Sequence, residues 1–120
     1  MPGRRPCRAR SQRSVRLNAA GVSCSTGSAA GPLVLYWHAT GSSVDEADYA
    51  LGATKAALTA SGAVIAAPYS DDAAGQFEWW IVNQSDRQDD FLLADEVGAC
   101  LAKAGRIDPN RVHVMGISAG

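Results

Sequence analysis

The stretch Val112-His-Val-Met-Gly-Ile-Ser-Ala-Gly120 decides the fold that this sequence predicts. Its first four residues form a short apolar strand, and the pattern G-x-S-x-G follows at once. A serine flanked by glycines directly after a strand is typical of a turn so tight that its flanking positions must be small. Such a turn lifts the Ser118 hydroxyl clear of the sheet, and the following backbone N–H groups point at a reacting oxygen. The alternative is a strand-to-helix turn that holds a ligand phosphate, although G-x-G-x-x-G is absent.

Upstream of this stretch, buried strands alternate with amphipathic helices. A continuous apolar run without alternation indicates a strand covered on both faces, as in a parallel sheet. The predicted elements are a strand at Leu33–His38, a helix at Asp45–Ala60, a strand at Ala63–Pro68, a helix from a cap at Asp89 or Asp90 to Ala104, a turn at Asp108–Asn110 and a strand at Arg111–Gly116. This order predicts an α/β fold in three layers with a mostly parallel sheet and right-handed crossovers.

Length and charge limit the chain to one modest domain with an unusual amino-terminal head. The chain has 120 residues, of which 47% are hydrophobic. Residues 1–31 contain six arginines and no acid, and we expect them to be a disordered basic head; a degenerate export signal or other targeting segment is the alternative. Residues 32–120 form the predicted domain. Residues 17–120 carry five basic and twelve acidic residues, which argues against nucleic acid as a partner. No apolar run is long enough to span a membrane.

The three cysteines leave two interpretations open. Cys7, Cys24 and Cys100 form no C-x-x-C pattern, so a zinc site or thioredoxin-like chemistry is not expected. A disulfide between Cys24 and Cys100 would suit a secreted protein. The alternative is a buried thiol at Cys100 and a free thiol at Cys24.

A second motif, His38-Ala-Thr-Gly41, follows the first predicted strand. In many α/β hydrolases, a loop that begins with His-Gly after an earlier strand supplies the second N–H donor of the oxyanion hole. Both motifs fall at the carboxyl ends of parallel strands, which is where open α/β sheets place their sites.

These segments resemble one group of enzymes. Pro32–Ser43, the helix beginning Asp89-Asp-Phe-Leu-Leu-Ala-Asp-Glu-Val97, and Ile107–Gly120 are similar to the polyhydroxybutyrate depolymerases and feruloyl esterases, which are α/β hydrolases. The similarity spans about residues 32–120.

The resemblance implies a serine-dependent carboxylic ester hydrolase acting on a small-molecule or polymeric ester. It implies that Ser118 is the nucleophile, that the N–H groups of Ala119 and Thr40 bind the oxyanion, that Gly116 and Gly120 form the elbow, and that His38 and Gly41 belong to the oxyanion loop. It implies an extracellular or periplasmic location and requires neither a cofactor nor a metal. The family usually has glycine where this chain has Ala39, and the extra Cβ is expected to narrow the loop.

The sequence contains a nucleophile without an identifiable base. In the family, the acid and the histidine of the triad follow the elbow, whereas the two histidines here are His38, in the oxyanion loop, and His113, within a strand. We therefore expect a partial α/β-hydrolase fold, the amino-terminal part of a larger esterase. The alternatives are an inactive remnant and a non-enzymatic α/β binding module.

Two further groups of residues have more than one interpretation. Asp71, Asp72, Asp89 and Asp90 could form a metal cluster, but a solvated loop and a helix cap explain them better. The aromatic segment Phe77–Val82 is predicted as a short strand or a lid-like loop, and it could line a substrate cleft or pack in the core. Trp37 is expected in the core.

Overall fold

A single mixed sheet organises the chain. The computed structural model describes residues 15–18, 30–77, 79–83 and 87–120. Its strands are β1 (Val15–Asn18), β2 (Gly31–Trp37), β3 (Val64–Pro68) and β4 (Ile107–Gly116), in the order β1-β3-β2-β4. β2 is parallel to both β3 and β4, whereas β1 is antiparallel to β3. The predicted α/β class and mostly parallel sheet are confirmed.

Helices cover both faces of the sheet. The α-helices are α1 (Glu46–Leu51), α2 (Ala53–Ala60) and α3 (Asp89–Lys103), and two 3₁₀ helices lie at Asp72–Ala74 and Trp80–Asn83. The core beneath α3 contains Leu33, Leu35, Val64, Ala66, Leu93, Val97, Leu101 and Ile107. The core beneath α1 contains Tyr36, Val44, Ala47 and Ala67. Because adjacent residues of a strand point to opposite faces, the continuous apolar run of β2 supplies both cores.

The prediction of a disordered head over residues 1–31 is wrong for Gly31, the first residue of β2, and for Val15–Asn18. Val15–Asn18 form an edge strand that pairs with β3 from Val15–Pro68 to Asn18–Ile65. Val15 packs against the core beneath α3. The Arg16 guanidinium binds the carboxylates of Asp45 at 2.6 Å and Asp48 at 2.9 Å. Tertiary contacts select this strand, because four residues are too few for a recognisable periodic pattern. The rest of residues 1–29 lies outside the described residues.

The single helix predicted over Asp45–Ala60 is divided in two. Gly52 has a φ of 52°, which ends α1 and begins α2. Glycine enters this left-handed region without the steric penalty that a Cβ brings. The Lys55 ammonium reaches back across the break to Asp48 at 2.7 Å, so an ion pair joins the two helices.

The second predicted helix is confirmed as α3, but its proposed cap is wrong. Gln88 occupies the N-cap position and makes no side-chain capping hydrogen bond. Asp89 and Asp90 instead lie in the first turn, where a carboxylate interacts favourably with the helix dipole. The helix ends at Lys103, and Gly105 follows with a φ of 71°.

The aromatic segment is irregular and forms no strand. Within it, a 3₁₀ helix runs from Trp80 to Asn83. The Asn83 amide donates to the carbonyl oxygens of Phe77 at 2.8 Å and Trp79 at 2.9 Å, and its Oδ1 accepts the Phe77 N–H at 3.0 Å. One side chain thereby pairs backbone groups that a strand would have paired with a neighbour.

The predicted turn at Asp108–Asn110 is a bulge within β4. Pairing with β2 passes from Gly31–Ile107 to Leu33–Val112, so five residues of β4 advance beside two of β2. Asp108 Oδ1 accepts the Asn110 N–H at 2.9 Å, which is a local turn within the strand. The strand therefore begins at Ile107, earlier than predicted.

Cys100, on α3, takes part in a disulfide. The structure therefore favours the first of the two cysteine interpretations. Its partner cysteine lies outside the described residues, so the pairing with Cys24 stays a prediction.

Two adjacent leucines of α3 test the core assignment. Leu93 is fully buried, whereas Leu92 is 54% exposed. Leu93→Ala should lower the free energy of unfolding by about 2–5 kcal/mol because it leaves a cavity under the sheet. Leu92→Ala should change it by about 0.5 kcal/mol or less. Urea denaturation of both variants measures the difference, and equal losses would contradict the assigned face of α3.

Candidate functional site

Three parallel strands end at one edge of the sheet. β2 leads into residues 38–45, β3 into the segment with the two 3₁₀ helices, and β4 into residues 117–120. The register pairs Trp37 with Gly116, so the loops after β2 and β4 begin side by side. The chain adds β3 on one side of β2 and β4 on the other. Open α/β sheets bind their ligands at such a reversal of strand order.

Ser118 has the most unusual backbone conformation in the described part of the chain. Its φ is 55°, and no other described residue except glycine has a positive φ. This region costs an L-residue about 1–2 kcal/mol, and such strain is concentrated at functional sites. Ser118 is exposed, and the Gly120 N–H closes the turn on the Ile117 carbonyl oxygen at 2.9 Å. This geometry matches the strained strand-to-helix turn on which a nucleophilic serine is presented.

The two flanking glycines are required by close backbone contacts. A Cβ on Gly116 would lie 2.5 Å from the carbonyl carbon of Gly120. A Cβ on Gly120 would lie 1.9 Å from the carbonyl oxygen of Trp37 and 2.7 Å from that of His38. The turn after β4 therefore packs directly on the end of β2, in a space that only glycine fits.

The loop after β2 forms a tight turn over residues 39–42. The Ser42 N–H donates to the Ala39 carbonyl oxygen at 3.0 Å, and Gly41 has a φ of 79°. A positive φ at the third position is what a type II turn requires. Ala39 itself has no positive φ. Alanine at position 39 therefore requires no unusual backbone angle. The position in this turn that requires glycine is Gly41.

Glu46 connects this loop to the first helix. Its carboxylate accepts the Tyr36 hydroxyl at 2.8 Å and the Ala39 N–H at 3.1 and 3.2 Å. It also accepts the hydroxyl of Ser42. Three donors from the end of β2 and the following turn thus converge on one side chain at the start of α1.

The same hydrogen bonds shift two pKa values in opposite directions. Burial acts to raise the pKa of Glu46, but the donors Tyr36, Ser42 and Ala39, with a smaller contribution from His38, outweigh it and lower the pKa. Burial, followed by the hydrogen bond to Glu46 and its negative charge, raises the pKa of Tyr36 to about 12. Glu46 is therefore held as the anion and Tyr36 as the neutral donor.

Tryptophans line the inner side of the loop after β2. Trp79 is 2% exposed, and its indole N–H donates to the His38 carbonyl oxygen at 2.9 Å. Its ring meets the ring of Trp37 edge to face at 4.8 Å and lies 5.0 Å from the His38 imidazole. Trp80 packs under the Arg87 guanidinium at 3.7 Å, and its indole N–H donates to Asp71. Trp79 therefore packs in the core and also supports the loop after β2. Trp37, which was expected in the core, is half-buried against it.

An apolar cavity of about 320 Å³ lies between these tryptophans, α3 and the end of β4. Its lining residues are Leu35, Trp37, Trp79, Val82, Asp90, Phe91, Ala94, Val114, Ala119 and Gly120. Trp79 therefore lines this cavity as well as packing in the core, and a substrate in the cavity stays a prediction. Asp90 is the one charged residue in this lining, and it is 5% exposed.

The structure brings the turn after β4 against the start of the loop after β2. Gly116 pairs with Trp37, and Gly120 packs against the carbonyl oxygens of Trp37 and His38; Ser118 and Ala119 lie within that turn, and Thr40 and Gly41 follow His38 in the loop. His38 is buried, and its Nδ1 donates to the Ala39 carbonyl oxygen at 2.9 Å. His113 lies exposed within β4, paired with Val34.

Asp71 and Asp89 both interact with the Arg87 guanidinium. Asp71 Oδ1 accepts the Ala73 N–H at 3.0 Å at the start of a 3₁₀ helix, and Asp89 pairs with Arg87. Within the described ranges, no three potential ligands are grouped as a metal would require. No helix in the described part of the chain is both long and apolar enough to cross a bilayer.

Two residues of the site escaped the sequence analysis. Glu46 lies within the helix predicted at Asp45–Ala60 and has no predicted functional role, and the indole N–H of Trp79 is not predicted as a donor to the loop. A signal for Glu46 does exist, since it is a carboxylate that follows a strand end and a glycine-containing turn within a few residues. The contact between Trp79 and His38 joins positions 41 residues apart, which no local pattern indicates.

Comparison with known proteins identifies no family for this chain. No protein-family model matches the chain, and no curated protein matches it. The resemblance to depolymerases and feruloyl esterases stays a hypothesis that rests on the residues quoted above.

Replacing an elbow glycine tests the close packing of the turn. Gly116→Ala places a methyl group against the Gly120 backbone and should cost about 1–3 kcal/mol of stability. Gly98→Ala is the matched control, because its Cβ would meet only Leu33 at 3.9 Å within a helix. The free energy of unfolding of Gly98→Ala should rise by about 0.5–1 kcal/mol. Urea unfolding midpoints separate the two, and a neutral Gly116→Ala would rule out this turn geometry.

The lowered pKa of Glu46 predicts acid sensitivity. A carboxylate whose pKa is lower in the folded than in the unfolded state stabilises the fold fully above its ordinary value of 4.5. That contribution is lost as the pH falls through the folded-state pKa. Asp48, whose pKa is lowered mainly by its hydrogen bond to Lys55, adds a separate contribution in the same direction.

Unfolding measured as a function of pH checks this expectation. In Glu46→Gln, the free energy of unfolding should fall less steeply as the pH is lowered. Asp48→Asn should reduce the same pH dependence by a separate amount. An unchanged acid slope in Glu46→Gln would show that the carboxylate is not held as the anion.

Proposed function

We propose that this chain carries the nucleophile and the oxyanion-binding groups of a serine-dependent carboxylic ester hydrolase. The observation that carries the proposal is the left-handed backbone of Ser118 on the G-x-S-x-G turn. Strain at a non-glycine residue persists only where the surrounding structure imposes it. Here the imposing contact is the packing of Gly120 on the last residues of β2.

The reaction begins with attack of the Ser118 Oγ on an ester carbonyl. The Ser118 oxygen–carbon bond forms, the proton of Ser118 passes to a base, and the carbonyl oxygen becomes an oxyanion. The Ala119 N–H and the Thr40 N–H are the proposed donors to that oxyanion. Neither N–H donates to another group among the described residues, so both are free to bind an incoming oxygen. The alcohol then leaves with a proton, and water hydrolyses the acyl-serine.

The general base and its acid belong to a part of the enzyme beyond the described residues. The sequence supports this: His38 belongs to the loop after β2 and His113 to β4, whereas the triad histidine of the resembled family follows the elbow. The chain is accordingly proposed as the nucleophile-bearing portion of a larger esterase. The resemblance to polyhydroxybutyrate depolymerases and feruloyl esterases supports short polyesters or aromatic acyl esters as the substrates.

The disulfide at Cys100 supports an extracellular or periplasmic location. Structural disulfides persist in oxidising compartments and are rare in the cytosol. A polymeric ester substrate is also encountered outside the cell, so the proposed location and the proposed substrate agree.

Acylation in the presence of an added base tests the proposal. Imidazole in solution can accept the serine proton when no histidine is in place. With imidazole and p-nitrophenyl butyrate, the protein should release p-nitrophenolate and become butyrylated on Ser118. Peptide mapping by mass spectrometry locates the acyl group, and Ser118→Ala should carry none.

Ser43→Ala is the matched control, because Ser43 is also exposed near the same sheet edge but has ordinary backbone angles. It should be acylated at Ser118 as fast as the unmodified sequence. Equal labelling of several serines, or none at Ser118, would reject the esterase and leave a binding module or an inactive remnant.

A further inference from the structure

One peptide group in the loop after β2 is held at both of its polar atoms. The carbonyl oxygen of His38 accepts the Trp79 indole N–H at 2.9 Å. The N–H of the same peptide, on Ala39, donates to both carboxylate oxygens of Glu46 at 3.1 and 3.2 Å. A trans peptide is planar, so fixing the two atoms fixes the orientation of the whole group.

The orientation of the next peptide follows. Its carbonyl oxygen, on Ala39, accepts the Ser42 N–H at 3.0 Å and the His38 Nδ1 at 2.9 Å. In a trans peptide the N–H points away from the carbonyl oxygen. The Thr40 N–H is therefore directed out of the turn, and it has no acceptor among the described residues.

The turn that contains Ser118 also packs against the His38 carbonyl oxygen. A Cβ on Gly120 would lie 2.7 Å from the His38 carbonyl oxygen, the atom that Trp79 holds. The orientation of the His38–Ala39 peptide thus affects both sides of the site: the direction of the Thr40 N–H and the position of the turn that presents Ser118.

We infer that Glu46 and Trp79 are positioning residues that hold the His38–Ala39 peptide so that the Thr40 N–H binds the oxyanion. This inference rests on the proposed esterase function. In this inference neither side chain donates to the oxyanion: the Glu46 carboxylate is engaged by Tyr36, Ala39 and Ser42, and the indole N–H of Trp79 by the His38 carbonyl oxygen. Both act through the backbone of the loop.

Glu46→Gln is the first test. The rate constant for butyrylation of Ser118 by p-nitrophenyl butyrate, with imidazole as base, should fall by about 10- to 100-fold. Loss of a whole oxyanion donor costs about 10²- to 10³-fold, and a misdirected donor should cost less. Rates are measured under conditions where circular dichroism shows every variant to be folded.

Asp48→Asn is the matched control for charge and stability. Asp48 lies on the same helix and binds Arg16 and Lys55, away from the loop. Its replacement should lower stability without changing the acylation rate. If Asp48→Asn and Glu46→Gln lower the acylation rate equally, Glu46 has only a structural role.

A sulfur substitution separates oxyanion binding from general damage. In the thionoester of the same acid, the developing charge falls on sulfur, which is larger and a weaker hydrogen-bond acceptor. Glu46→Gln should therefore slow the oxygen ester more than the thionoester, so the ratio of their acylation rates should fall. Damage to the nucleophile alone would slow both substrates equally and leave that ratio unchanged.

Trp79→Phe provides an independent variant that keeps an aromatic ring and removes the indole N–H. It should also lower the oxygen-to-sulfur ratio, even if Glu46→Gln does not fold. If Ser118 of the unmodified protein is acylated and both variants keep the original ratio, the positioning inference is wrong while the proposed function stands. If Ser118 is never acylated, the proposed function itself fails.

Discussion

The parallel pairing of β2 with both β3 and β4 determines where the other elements lie. β2 is hydrogen-bonded along both edges, and its side chains enter the cores on both faces of the sheet. A strand that pairs on both sides and is buried on both faces has a closely specified register. The register in turn places the end of β2 beside the end of β4. The contact between Gly120 and the Trp37 and His38 carbonyls follows from that register.

The site that results is made largely of backbone. Ser118 contributes a side chain, but its presentation depends on a φ of 55° and on two glycines that no other residue can replace. The proposed oxyanion donors are peptide N–H groups. Backbone donors of this kind are oriented before a substrate arrives and need little rearrangement during reaction. Under the positioning inference, the orientation of these donors is fixed by two side chains that do not themselves donate to the oxyanion, those of Glu46 and Trp79.

The parts of this fold that sequence predicts are those with a local signal. The apolar run of β2, the periodic face of α3 and the glycines around Ser118 each carry a pattern within a few residues. The strand at Val15–Asn18 has no such pattern, because its stability comes from β3 and from the Arg16 ion pairs to α1. Gly52 is ambiguous in sequence, since an isolated glycine within a helical period is tolerated at a cost of about 1 kcal/mol relative to alanine. The contact of Trp79 with His38 depends on the path of the segment that follows β3, and that path is determined by the folded sheet and not by a local pattern.

The choice of glutamate at position 46 has a physical reason. The three groups that reach it, from Tyr36, Ala39 and Ser42, are all donors, and a carboxylate has two oxygens that only accept. A glutamine would offer one accepting oxygen and two N–H donors, which would leave a donor facing a donor. A partly buried anion near a developing oxyanion is unfavourable in itself, because like charges repel more strongly where water is partly excluded. The three donors disperse the charge of Glu46, and its place in the first turn of α1 adds the favourable end of a helix dipole. The carboxylate can therefore fix the loop with limited repulsion of the oxyanion that the loop is proposed to bind.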